Sequence, residues 1–171
     1  MQLTYGYHAS SELLEVSTPM LTRLRDLTDW STHLGVLDGQ YVMYLLRFAA
    51  TSGLSSLVHV GSRLPAAATS MGRLMLCPKS EPAIRRLYKD SPTEAVQKIL
   101  DFRRQDLKSD LIVSIGNFES GLCSVAAPIF DISGEMIGAI STTRMTDTVP
   151  DSILVQTRTA ASQISRALGA R

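Results

Sequence analysis

The 171-residue sequence predicts one α+β domain: an antiparallel sheet of about six strands flanked by helices. Three observations carry that prediction. The segment "HLGVLDGQYVMYLLRF" (33–48) has two apolar runs around Asp38-Gly39, a dipeptide suited to a type I′ hairpin turn. A second hairpin pattern lies near the other end, where "LCSVAAPIF" and "EMIGAISTT" flank the turn "DISG". Helix-period segments fill the space between and close the chain, and hairpins at both ends favour an antiparallel sheet with helices packed on it.

In chain order, residues 1–10 are polar and aromatic without periodicity and read as a loose lead-in. Ser10 or Ser11 can cap "ELLEV", and Thr18-Pro19 offers a cap and a first-turn proline for a stretch over 19–29. Met20, Leu24 and Leu27 form its stripe, and the two pieces can equally be one helix kinked at Pro19. "SSLVHV" (55–60) reads as a third strand, followed by helices over 66–77, near 82–88 and from 92. Ser91, Pro92 and Glu94 have the spacing of a capping box for the last of these, with "RRQDLKSD" as its solvated end. "LIVSIG" (111–116) is a strand, and a final helix starts at Pro150 with Ile153, Thr157, Ala160, Ile164 and Leu168 on one face.

The composition narrows the function. Net charge is +1, so no global field attracts nucleic acid or an anionic membrane. No apolar run reaches the roughly 20 residues of a membrane span. The first residues carry neither the basic nor the apolar region of a signal peptide, which points to a reduced, cytoplasmic setting. Cys77 and Cys123 have no ligand spacing, and His8, His33 and His59 are far apart, so no metal site and no cofactor is expected.

Side-chain alternation turns the second hairpin into a candidate site. With "DISG" as a four-residue loop, Phe130 pairs with Glu135, Ser124 with Ser141 and Leu122 with Thr143. Ser124, Ser141 and Thr143 then share a face with Ala126 and Ile137, while Cys123, Val125, Ala127, Met136 and Ile140 share the other. Hydroxyls on a covered sheet need partners: each other, water or a ligand. The segment "LPAAATSMGRLML" (64–76) bears on the choice. A helix starting over Ala66–Ser70 presents unpaired amides and a positive dipole end, its alanines leave room, and Gly72 permits close approach to the sheet. The same small residues also suit tight helix-on-sheet packing.

Taken in order, "HLGVLDGQYVMYLLR", "GSRLPAAATSMGR" and "GLCSVAAPIFDISGEMIGAIS" resemble the C-terminal effector-binding domain of IclR-type (isocitrate lyase regulator family) bacterial transcription regulators. The resemblance covers about residues 10–168. It implies a GAF-like sensor and oligomerisation domain over 11–171 that binds a small organic acid as homodimer or homotetramer. It also implies that residues 1–10 are the remnant of a wing and linker, and that DNA is bound only through a missing N-terminal winged helix-turn-helix. By the same resemblance the Ser70 and Met71 amides hold the acid, and Leu64, Leu122, Ser124, Ser141 and Thr143 line the site. Ser114 stands where many relatives carry an acidic residue, and Met71 where an alanine is common. Arg73, at a place often lysine, points outward or pairs with a carboxylate and contacts no ligand.

Three other functions are weighed against this one. A small redox enzyme of similar architecture needs an activated cysteine. Cys123 falls on the face opposite Ser124, and Cys77 lies at a helix end whose dipole raises a thiol pKa, so a non-enzyme is expected. A nucleotide sensor needs a stacking aromatic, and the site candidates include none. A dimerisation module with a vestigial pocket is the remaining alternative.

Overall fold

A computed structural model describes residues 2–51 and 58–171, with side chains from Ser11 onward. The elements are α1 (Gln2–Thr28), β1 (Ser31–Asp38), β2 (Tyr41–Phe48), β3 (Arg63–Pro65), a 3-10 turn (Ala66–Ala68), α2 (Ser70–Leu76), α3 (Glu81–Leu87), α4 (Thr93–Asp106), β4 (Ile112–Ile115), β5 (Leu122–Phe130), β6 (Met136–Met145) and α5 (Asp151–Ala167). The six strands form one sheet in the order β3-β2-β1-β6-β5-β4, with every neighbouring pair antiparallel. The two hairpins meet at the centre, where β1 pairs with β6.

Both faces of this α+β sheet are covered. One packs Leu34, Cys123, Val125, Ile129 and Ile140 against Leu13, Leu21 and Leu24 of α1 and Ile153 and Ile164 of α5. A 2.9 Å hydrogen bond between the buried hydroxyls of Thr142 and Thr157 ties α5 to β6. The other face packs Val42, Tyr44, Ile112, Ala126 and Ala139 against Met71, Leu74 and Leu76 of α2, Ile84 of α3 and Leu100 of α4. Period-two alternation explains the split: Cys123, Val125 and Ala127 face one layer, Ser124 and Ala126 the other.

Several local expectations change. Residues 2–10 are helical rather than a loose lead-in, and α1 runs through Pro19 without a cap at Ser10, Ser11 or Thr18. The Thr18 hydroxyl donates back to the Leu14 carbonyl at 2.7 Å. The stripe that α1 buries is Leu13, Ser17, Leu21 and Leu24, whereas Leu27 is exposed. The first hairpin turns at Gly39-Gln40, with Asp38 paired to Tyr41. Positive φ at Gly39 and not at Gln40 is the type II′ pattern rather than type I′. Half of the strand expected over 55–60 lies outside the described residues; Val58–Val60 are not strand, and the edge strand is Arg63–Pro65. α4 is capped by Pro92 without a side-chain bond, so the capping box does not form. Asp106, expected in that helix's solvated end, is buried.

The β5–β6 register also differs. Phe130 pairs with Met136, an irregularity follows at Ile129/Phe130, and from there Ser124 pairs with Thr143 and Ala126 with Ser141. The Asp131 carboxylate accepts the Ser133 and Glu135 amides, and the Asp131 amide donates to Glu135, holding a five-residue loop. The slip in register is two residues. A shift of two preserves the side these residues face, so Ser124, Ser141 and Thr143 still share a face, whereas at the irregularity Ile137 packs on the Cys123 side and Met136 on the Ala126 side, the reverse of the expectation.

Candidate functional site

The face under α2 carries a line of hydroxyls across four strands. Ser114 of β4 pairs with Ser124 of β5, Ser124 with Thr143 of β6, and Thr143 with Ser31 of β1. All four border a cavity of about 200 Å³. An apolar void of about 150 Å³ already admits benzene, so this space suits a single ring or a short-chain molecule.

α2 forms the roof. It starts at Ser70 rather than Ala66, because the three alanines form a 3-10 turn and Thr69 is the cap. The Thr69 hydroxyl accepts the Gly72 amide at 3.1 Å and its carbonyl accepts the Arg73 amide at 2.9 Å. That leaves the Ser70 and Met71 amides as the first-turn donors. The Ser70 hydroxyl reaches the sheet, sharing a 2.6 Å hydrogen bond with the Ser124 hydroxyl. Gly72 serves a purpose other than the one expected: a Cβ there would run into the Ala66 backbone, so glycine lets the 3-10 turn fold against α2. Arg73 turns away from the cavity into a buried bidentate pair with Asp106 of α4, at 2.8 and 2.6 Å, over the Phe102 ring.

Of the eight residues expected at the site, Leu64, Ser70, Ser114, Leu122, Ser124 and Thr143 line the cavity. Ser141 and Met71 lie behind its wall. Ser141 is buried with its hydroxyl 3.4 Å from His33 Nδ1. Met71 packs over Gly35, where a Cβ would come within 3.1 Å of its methyl and 3.3 Å of its sulfur.

The structure adds residues that the sequence did not point to. His33, Tyr44 and Phe118 line the cavity, so the absence of aromatics expected there is corrected. A bulge in β2 produces part of this: Leu34 pairs with Leu46 and Gly35 with Tyr44, leaving Leu45 extra and bringing Tyr44 and Arg47 to the face that carries His33. The His33 and Tyr44 rings meet edge to face at 5.5 Å. Burial, with Arg47 opposite on β2 adding to it, pushes the His33 pKa down to about 3, so the ring is neutral near pH 7. Burial likewise pushes the Tyr44 phenol upward.

The mouth carries charge. Asp29, Glu119 and Arg144 border it. Asp29 sits in the left-handed region at φ 52°, a conformation that Asp tolerates. Its carboxylate accepts both the Thr51 amide and the Thr51 hydroxyl, and Arg144 lies 3.8 Å from its other oxygen. Both cysteines are away from this chemistry. Cys123 is under the α1–α5 layer, and burial pushes Cys77 up to about 11, with Asp106 adding to the shift. Among the described residues no cluster of His, Cys, Asp and Glu could hold a metal ion. None of their helices is long and apolar enough to cross a membrane.

An α+β domain with helices on both sheet faces and a small polar cavity under one of them is a ligand-pocket domain in form. The sequence profile described as "Bacterial transcriptional regulator IclR C-terminal" matches residues 5–166, and the chain belongs to that family. It is 28% identical over 165 residues to the Pca regulon regulatory protein of Pseudomonas putida, covering 91% of this chain and 57% of that protein. It is 26% identical over 174 residues to the HTH-type transcriptional regulator KdgR of Escherichia coli, covering 92% of this chain and 65% of that protein. The chain thus spans between half and two thirds of the length of these relatives.

Solved structures share the fold. An IclR homolog from Microbacterium hydrocarbonoxydans, complexed with 4-hydroxybenzoate, superposes with TM-score 0.82 at 22% identity, covering 91% of this chain and 68% of that one. A double mutant of the inducer-binding domain of the transcription factor PobR from Acinetobacter, complexed with 3-hydroxybenzoic acid, superposes with TM-score 0.75 at 22% identity, covering 88% of this chain and 96% of that one.

Proposed function

We propose that the cavity binds a small organic acid and that this domain is the sensor of a transcription regulator, modulating DNA binding by a separate helix-turn-helix domain. The observation that carries the reading is the hydroxyl line Ser114–Ser124–Thr143–Ser31 facing Ser70 at the head of α2. Hydroxyls and first-turn amides are donors suited to a carboxylate. The acids bound to the two superposed relatives are of a size that about 200 Å³ can hold.

The route from ligand to the rest of the domain runs through α2. This helix is hydrogen-bonded to the sheet by Ser70 and to α4 by Arg73. An acid that inserts its oxygens at Ser70 competes with Ser124 and shifts α2, and Arg73 carries that shift to Asp106. An effector moves such an equilibrium only by binding the two arrangements with different affinity.

Residues 1–10 are taken as the lead from the DNA-binding part, and the whole regulator as a cytoplasmic homodimer or homotetramer. Exposed Leu27, Ile115 and Val155 leave apolar surface for copies to cover. A redox enzyme is disfavoured because burial raises both thiol pKa values.

The experiment is a thermal-shift screen of this chain against carboxylic acids at neutral pH. A rise for one chemical class, lost in Ser124→Ala, supports the sensor. No rise with any acid at millimolar concentration overturns it in favour of a dimerisation module, which sedimentation would then identify.

A further inference from the structure

One residue of the cavity wall carries a buried polar atom that has no hydrogen-bond partner among the described residues. His33 is 3% exposed and lines the cavity, and its Nε2 meets no hydrogen-bond partner among the described residues. Its other nitrogen, Nδ1, is 3.4 Å from the buried Ser141 hydroxyl. A buried polar atom left without a partner costs about 1–3 kcal/mol. That cost is removed when a ligand supplies the missing partner.

The neighbouring groups say where such a partner would stand. Along β1, Ser31 lies in the hydroxyl line, His33 comes next on the same face, and Gly35 follows beneath Met71. Ser31 and His33 are about 6.8 Å apart along the strand, the span of a small ring or a short chain. Met71 occupies the face beyond His33, and Tyr44 stands edge-on to the imidazole. A molecule of that span with its acid group at the hydroxyl line reaches the His33 ring.

We infer that His33 is a specificity-determining residue that makes one hydrogen bond, through Nε2, to a second polar group of the effector. The effector is then a bifunctional acid bearing a hydroxyl or carbonyl remote from its carboxylate, not a plain monocarboxylic acid. This rests on the proposed function and refines it. The neutral ring offers either a lone pair or an N–H at Nε2, and the Ser141 hydroxyl, which can donate or accept, adjusts to whichever the ligand requires.

The test is calorimetric titration of this chain with benzoate, 3-hydroxybenzoate and 4-hydroxybenzoate, repeated in His33→Gln and His33→Phe. At least one hydroxylated acid should bind about tenfold more tightly than benzoate, the worth of one well-placed hydrogen bond. In His33→Phe that preference should fall to about onefold, and His33→Gln should keep part of it. Imidazole nitrogen NMR of the unaltered chain gives a reading that no folding defect can confuse: the Nε2 resonance of His33 should move with the hydroxylated acid and not with benzoate. Binding of all three acids with equal affinity and an unmoved Nε2 would overturn the inference and leave the acid sensor standing. Binding of none of them, with no Nε2 response, removes this inference; the wider acid screen decides separately whether the sensor reading falls with it.

Discussion

Ser70 and Ser124, 54 residues apart in sequence, share a 2.6 Å hydrogen bond between their hydroxyls. It is where the short roof helix is attached to β5 of the sheet, and both residues line the cavity. The bond has two consequences, one for stability and one for binding.

Ser124→Ala and Ser70→Ala should each cost about 1 kcal/mol of stability, the net worth of one intramolecular hydrogen bond. The double variant should cost little more than either single one, because both remove the same bond. Urea denaturation of the four chains measures the coupling. Full additivity would mean that the hydroxyls do not interact in solution.

Gly72→Ala reverses an ordinary rule. Alanine normally stabilises a helix by about 1 kcal/mol relative to glycine. Here its methyl meets the Ala66 backbone, which cannot swing aside as a side chain could. A loss of about 1–3 kcal/mol is expected, the range for overpacking. Because the displaced element is the 3-10 turn next to the cavity, acid binding should weaken together with the melting temperature.

The Arg73–Asp106 pair is buried on both sides, with side-chain exposures of 9% and 8%. Asp106→Asn or Arg73→Leu should destabilise by about 3–5 kcal/mol, since each leaves a charge buried without its partner. Replacing both by leucine should recover most of that loss. Chemical denaturation at low and high salt checks the origin, because a buried pair is screened far less than a surface pair such as Arg158–Asp110.

His33 makes stability depend on pH in a window free of carboxylate titration. Its pKa falls from an ordinary 6.5 to about 3 on folding, so between these values the unfolded chain binds the extra proton. Stability is therefore fully present above pH 6.5 and is lost as pH falls through that value, by up to about 1.4 kcal/mol per pH unit. The carboxylates held low by their partners, Glu81, Asp110 and Asp131, lose stability in the same direction but only below about pH 4.5. Between pH 6.5 and 4.5, His33→Gln should flatten the profile.

The fold class and much of the wall were readable from residue order. Alternation alone placed Ser124 and Thr143 on one face and Cys123 on the other, and this survived a wrong hairpin register because the error was even. The helix at 70–76 was visible, though its start was placed four residues early: three alanines have high helix propensity, yet a Thr69 cap and a 3-10 turn claim them instead. Asp106 looked solvated because nothing near it in sequence reveals Arg73, 33 positions earlier.

His33, Tyr44 and Ser31 were not legible for a related reason. Their place at the cavity depends on β1 of the first hairpin pairing with β6 of the second and on the extra residue Leu45 in β2. Local alternation, caps and turns are written in neighbouring residues, so the sequence by itself determined the α+β class, the two hairpins and which side chains share a strand face. Long-range pairing is decided by packing over the whole chain. Only the tertiary structure could bring four hydroxyls into line across four strands, bond one of them to α2, and leave the His33 ring facing the space between.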